Sequence, residues 1–378
     1  MFDTVLRDPF RVLFICAGLS AAALLPVWLL LMAGGLPLTP VVHPVRWHAH
    51  EMLFGFGGAL IAGFVLTAAR NWTGLPTAGP RLIGLLVVLW LAVRMLLWLP
   101  GSGSAPAAAL AGAAFFVLAG IAVGRPVVRA GSYRNLIFIP LFVWLGGLQV
   151  LALTGSGSVA AVALELGLYT IVALLVFMGG RVIPFFTQRR LPEAGVIRRG
   201  WLDHLTNLAA VLLIPAVLLE DSPLRGVLLA VAGLAVLLRL ADWAPWATWR
   251  VPLLWVLHLG YLWLAVGLLF AAVGVVSGVW PASDASHALS IGALGTLAMG
   301  MMSRVSLGHS GHALEVGRLT PWLFAVPAVA AVVRLLAPYG VPLEWFTAMV
   351  VAGVLWTLAW LLWVALYMPV WCRPVTPR

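Results

Sequence analysis

Lysine is absent from this chain: all 22 of its basic residues are arginine. Charge of either sign is scarce, 9% of 378 residues, where soluble domains carry roughly 25%. Cysteine is almost missing too. Cys16 lies in the first apolar run and Cys372 in the tail, so neither a disulfide framework nor a thiolate cluster is expected. Without lysine there is no glycine-rich phosphate loop of the P-loop kind. No His-Glu-x-x-His zinc pair and no spaced Ser/His/Asp set is present either. Within the apolar runs Glu51 and Glu165 are the clearest acidic residues, fewer than a proton-coupled carrier usually uses.

What the chain has is oil. Apolar residues make up 63% and the mean hydropathy is +1.08, more apolar surface than a water-soluble fold can bury. The fold class read from this is all-α: a polytopic integral membrane protein. Apolar runs fall at about 11–34, 48–70, 81–99, 105–124, 135–154, 159–180, 202–220, 223–241, 252–276, 285–306, 319–337 and 344–370. Twelve spans of about 20 residues, the length that crosses a 30 Å hydrocarbon core, leave only loops and tails. The whole chain, 1–378, is therefore read as a single twelve-helix transmembrane domain. The first run is too long for a signal-peptide core and has no convincing cleavage site, so it is expected to stay as the first helix. No internal repeat is apparent in the residues.

The net charge of +10 would suggest nucleic acid in a soluble protein, but here it reads against the bilayer. With twelve spans, eighteen of the 22 arginines fall at the termini and in even-numbered loops. Only Arg46 and Arg225 fall in odd-numbered ones, and Arg94 and Arg334 sit inside runs. By the positive-inside rule both termini are cytoplasmic. The stretch from Arg181 to Gly200 holds five arginines, enough for a topogenic cytoplasmic loop, with lipid headgroups as the alternative role.

The eight histidines sort by depth into two groups. His43, His48, His50 and His287 belong to the outer ends of the second and tenth runs; His204, His258, His309 and His312 lie toward the cytoplasmic face. His287 and His309 are about 33 Å apart along a helix, too far for one metal centre. In Trp47-His48-Ala49-His50-Glu51-Met52, residues two apart on a helix diverge. His48 and His50 are thus expected to serve opposite faces, with Glu51 on the His48 face at i, i+3 as an orienting carboxylate, a ligand or a proton carrier. His258 and His309, at comparable depth, form a candidate pair. Glycines at 55, 57, 58 and 63, and at 292, 295 and 300, are read either as close helix packing or as a flat wall for a macrocycle. Met299, Met301 and Met302 suit copper(I) or simply fill a core. Arg181 and Arg304 end helices where they would pair with haem propionates or act as topogenic charge. Trp47, Trp72, Trp243, Trp246 and Trp249 read as an interfacial belt.

Four blocks carry a resemblance: Trp47 through Gly55; Asn71-Trp72-Thr73-Gly74; Gly179-Gly180-Arg181-Val182-Ile183-Pro184-Phe185-Phe186-Thr187; and His287 through Gly311. In this order, over almost the whole chain, the sequence resembles the NnrS family of bacterial inner-membrane proteins. The resemblance implies about twelve helices, haem b and copper as cofactors, and a role in nitric oxide metabolism and resistance to nitrosative stress. It implies metal-site positions at His48, His50, His258, His287 and His309, beside the Glu51, Arg181 and Arg304 read above. His312 stands where this family is expected to have arginine, and His43 and His204 fall outside the matching blocks. Partners implied are nitric oxide or a related nitrogen oxide, the lipid bilayer and an electron donor, with no nucleic acid. The readings left open are nitric oxide binding at a His-ligated haem, a haem-copper reductase-like oxidoreductase, and a transporter for copper, haem or a nitrogen oxide. The topology is directly checkable. A fluorescent protein fused after Arg378 is expected to glow in the cytoplasm and alkaline phosphatase there to be inactive; the opposite pair of results removes the twelve-span parity.

Overall fold

The computed structural model describes residues 2–220, 222–339 and 344–374. Helix accounts for 82% and no strand occurs among the described residues. Each apolar run has become one long helix: α1 (Pro9–Met32), α2 (Pro44–Thr73), α3 (Pro80–Leu96), α4 (Ser104–Arg129), α5 (Phe138–Thr154), α6 (Gly157–Arg190), α7 (Gly200–Ala216), α8 (Pro223–Ala241), α9 (Pro252–Ser277), α10 (Ala282–His309), α11 (Thr320–Leu336) and α12 (Trp345–Cys372). Among the described residues ten spans are long and apolar enough to cross a membrane, α5 and α7 counted with their adjoining 3-10 turns as Tyr133–Thr154 and Gly200–Leu219; α3 and α11, at 17 residues each, fall just short. Local chemistry sets the ends. Proline opens α1, α2, α3, α8 and α9 within the first turn, where its missing N–H costs nothing. Gly74 and Gly278 close α2 and α9 in the left-handed region, at φ +69° and +62°.

Contacts divide the chain into two compact units. Unit 1 comprises residues 1–167, 305–313 and 360–378; unit 2 comprises 168–304 and 314–359. Within unit 1 the helix ends gather on two faces. On one, the Arg11 guanidinium, fully buried, donates through Nη1 to the carbonyls of Val370, Trp371 and Arg373 at 3.1, 2.6 and 2.9 Å. It thereby caps the end of α12 with the start of α1. Asp8 bridges from there to Arg70 at the end of α2. On the other face, Val41 N–H donates to the Leu97 carbonyl at 2.9 Å, and Arg46 to that of Gly155 at 2.8 Å. The short α3 therefore runs from the level of the end of α2 back to the level of its start.

α3 and α11, 17 residues each, follow the long helices α2 and α10, which carry the acids Glu51 and Asp284.

Two helices are central. In α2 83% and in α10 72% of the apolar window is buried, against 39–56% in the other candidate spans. The same two helices pass into π geometry, at Glu51–Phe56 and Ala288–Gly295. Their glycines are filled by neighbours: a Cβ on Gly58 would lie 3.0 Å from Phe116, on Gly63 3.0 Å from Leu13, on Gly292 2.5 Å from Trp263 and on Gly295 2.4 Å from Trp356. At these four positions neighbouring side chains pack directly against the bare helix face. Met299 and Met302 are fully buried in the same α10 packing.

Arg11 is the strongest tie in unit 1. Arg11→Ala leaves three carbonyls short of a charged donor, at a cost of about 3 kcal/mol. It is expected to lower the midpoint of thermal unfolding in detergent by several degrees, with Arg11→Lys recovering part of the loss.

A buried His–Glu–Arg cluster as the candidate functional site

A carboxylate in a membrane helix must find a partner, because an isolated buried charge costs several kcal/mol. Glu51 finds two. Its Oε1 lies 3.0 Å from His50 Nδ1 and its Oε2 2.9 Å from Arg94 Nε; both Glu51 and His50 are 0% exposed. A carboxylate can only accept, so Nδ1 carries the imidazole proton and Nε2 is left with the lone pair. That nitrogen is buried and has no partner. The arrangement of a ring nitrogen tied to a carboxylate with the other nitrogen bare is the one metal-ligating histidines adopt.

Several elements hold this geometry. Arg94 is the fifteenth residue of α3; it also donates from Nη1 to the Trp90 carbonyl at 2.6 Å and lies 4.4 Å over the Trp90 ring. The Trp90 indole in turn donates to the Gly55 carbonyl at 2.9 Å. Gly55 is required by space: a Cβ there would stand 2.6 Å from Arg94 Nη2 and 2.7 Å from Glu51 Oε2. The π segment begins at Glu51, and this widened turn sits where the carboxylate meets both neighbours.

The structure corrects the expected pairing within this motif. Glu51 joins His50, its immediate neighbour, and not His48. The carboxylate's second oxygen is drawn to Arg94, and the side chain settles between the two cations. His48 turns the other way and stacks on Trp28, ring centres 4.7 Å apart at 17°, so the two histidines do face different surroundings. Trp47 and Trp243 are both 1% exposed and belong to the core rather than to a belt, whereas Trp246 and Trp249 are 70% and 66% exposed.

The other candidates sit apart. In unit 2, His258 donates from Nδ1 to the Leu254 carbonyl at 3.0 Å, and its Nε2 lies 3.4 Å from the Thr187 hydroxyl. It lines a mostly apolar cavity of about 380 Å³ with Trp246 and Trp255. His287, half-buried, donates from Nδ1 to the Ser283 carbonyl at 2.6 Å. Nearby, the buried Asp284 meets Arg334 at 3.4 Å, with Oδ2 unpartnered. Arg304 lies 3.8 Å over the Phe186 ring and Arg181 5.6 Å over Phe177. In unit 1, His309 accepts from Asn71 Nδ2 at 3.3 Å and lines a polar pocket of about 330 Å³ with Arg7, Asp8, Phe10 and Arg70. Among the described residues no three His, Cys, Asp or Glu side chains converge as around a metal ion. The sequence reading passed over Arg94, Arg334 and Asp284. Arginines inside apolar runs were the available signal, since such a charge implies a buried acid.

The NnrS protein family model matches residues 4–374. The chain belongs to the NnrS family. No curated protein matches it. The family match spans both units, the cluster at His50 and the apolar helices of a multi-pass membrane protein.

Within the cluster, Gly55→Ala is expected to force Arg94 from Glu51 and to destabilise by about 1–3 kcal/mol, the usual cost of overpacking. Gly84→Ala, where nothing lies within 4 Å of the added carbon, is expected to be neutral. Equal thermal midpoints for the two variants would refute the geometry.

Proposed function

We propose that this NnrS-family protein acts in nitric oxide metabolism and resistance to nitrosative stress in the bacterial inner membrane, with a His-ligated haem b that binds nitric oxide. One observation carries the reading: His50 is sealed from solvent with Nδ1 tied to Glu51 and Nε2 bare. The residues fit the group. A neutral imidazole of fixed tautomer, held by a carboxylate, is a donor suited to iron, and His50 would hold the haem through Nε2. When bound, the haem would supply an iron able to take a diatomic ligand.

The chain's own part is positional. Glu51 fixes the tautomer and aim of His50, Arg94 balances the carboxylate charge, and the packing of α2 keeps water away. In unit 2, His287, with Nδ1 spent on an acceptor, is a candidate ligand in its own right, and Arg181 and Arg304, at the other end of that unit's helices, are candidate cations for propionates of a group bound there. His258 and His309 are the further metal-site positions the family implies. Copper is part of the family expectation, but no three-donor set of His, Cys, Asp and Glu gathers among the described residues, and no step is drawn through it. Twelve spans with cytoplasmic termini are supported by the course of α3 along α2, by the Arg334–Asp284 contact that brings the end of α11 level with the start of α10, and by the bias of arginines to one face. The electron donor is not identified by any residue.

Purified protein, reduced with dithionite, is expected to show a Soret band that shifts on addition of nitric oxide, and His50→Ala to lose the shift. An unshifted band in the wild type, or an identical shift in His50→Ala, would defeat the assignment.

A further inference from the structure

The acid–arginine half of the cluster at His50 has a counterpart in unit 2, where His287 donates to the Ser283 carbonyl instead of to the acid. In unit 1 the π-bearing helix α2 carries buried Glu51, and the fifteenth residue of the 17-residue α3 is Arg94, Nε to Oε2 2.9 Å. In unit 2 the π-bearing helix α10 carries Asp284, 1% exposed, and the fifteenth residue of the 17-residue α11 is Arg334, Nη1 to Oδ1 3.4 Å. Both pairs stand at the opening end of their helix, each with a histidine within three residues of the acid: His50 and His287. Replacing a buried ion pair by apolar side chains is often neutral or stabilising, and a π turn is rarer than plain helix. Such costly features are not needed to pack two helices, and in unit 1 their use is at the histidine that the acid holds.

We propose that Arg94 is a positioning residue that sets the electron donation of His50 through Glu51. The proposal rests on the reading of His50 as an iron ligand. Its physics is charge balance. Glu51 pulls on the Nδ1 proton of His50 and makes Nε2 a stronger donor. The Arg94 guanidinium, joined to the other carboxylate oxygen, draws part of that negative charge away and restrains the pull. Arg94 is tied in its turn to the Trp90 carbonyl and ring, so its charge is held in one place.

The two partners therefore act with opposite sign. Removing the guanidinium strengthens donation from His50 and favours ferric iron; neutralising the carboxylate weakens donation and favours ferrous iron. In the full-length protein in nanodiscs, spectroelectrochemical titration is expected to show Arg94→Gln lowered in midpoint potential and Glu51→Gln raised. Each change is about tenfold in the ferric-to-ferrous ratio, about 59 mV for one electron. Arg94→Lys is expected to return close to wild type, and Arg198→Gln, which breaks a surface pair with Asp203, to leave the potential where it was. Should Arg94→Gln fail to fold, the rise in Glu51→Gln and the near-wild-type value of Arg94→Lys still decide. Potentials that move in the same direction, or stay still while haem remains bound and sensitive to His50→Ala, would overturn the positioning role and leave the ligand assignment standing. A wild-type protein without haem, or a His50→Ala spectrum unchanged from wild type, would remove the ligand assignment and the positioning role with it.

Discussion

A carboxylate buried among apolar helices is the constraint around which unit 1 is arranged. Glu51 can remain there only with cationic or N–H partners on both oxygens, and each partner then has requirements of its own. Arg94 must arrive from a neighbouring helix at the right depth, which fixes how far α3 travels along α2. His50 must turn inward, which separates it from His48. Gly55 must lack a side chain so that the guanidinium can lie flat beside the helix, and Trp90 must span the gap to the Gly55 carbonyl. The ion pair is worth little as a source of stability, since desolvation consumes most of its attraction. Its consequence is specificity: one rotamer, one tautomer and one bare nitrogen.

In α2 and α10 the long helix is the most buried of the candidate spans, and each carries an arginine–acid contact toward its opening end. Elsewhere arginines do mechanical work. Arg11 fastens the end of α12 through three carbonyls, and buried Arg239 reaches the Val176 carbonyl and the Tyr261 hydroxyl beside Gly180, where a Cβ would collide with it. With lysine absent, every buried cation is a planar fork able to satisfy several acceptors at once.

Much of this was open to reading before any coordinates. The apolar runs matched long helices because a span is a local property: about twenty residues with no internal polar demand. The histidines at the ends of α2 and α10 were visible as polar groups where oil was expected. Less visible was what each one touches. Glu51 reads onto His48 in an ideal helix, and only the π turn and the pull of Arg94 place it on His50. The glycines of α2 and α10 were ambiguous because a bare helix face looks the same whether a ring of phenylalanine or of porphyrin covers it.

By itself the sequence determined that the protein is helical and built for a bilayer, where the helices lie and which residues bear chemistry, because hydropathy and spacing act over one turn or one span. Tertiary structure decided which acid meets which base and which helices are the most buried. Those outcomes depend on groups more than forty residues apart arriving at the same depth, and no local pattern carries that distance.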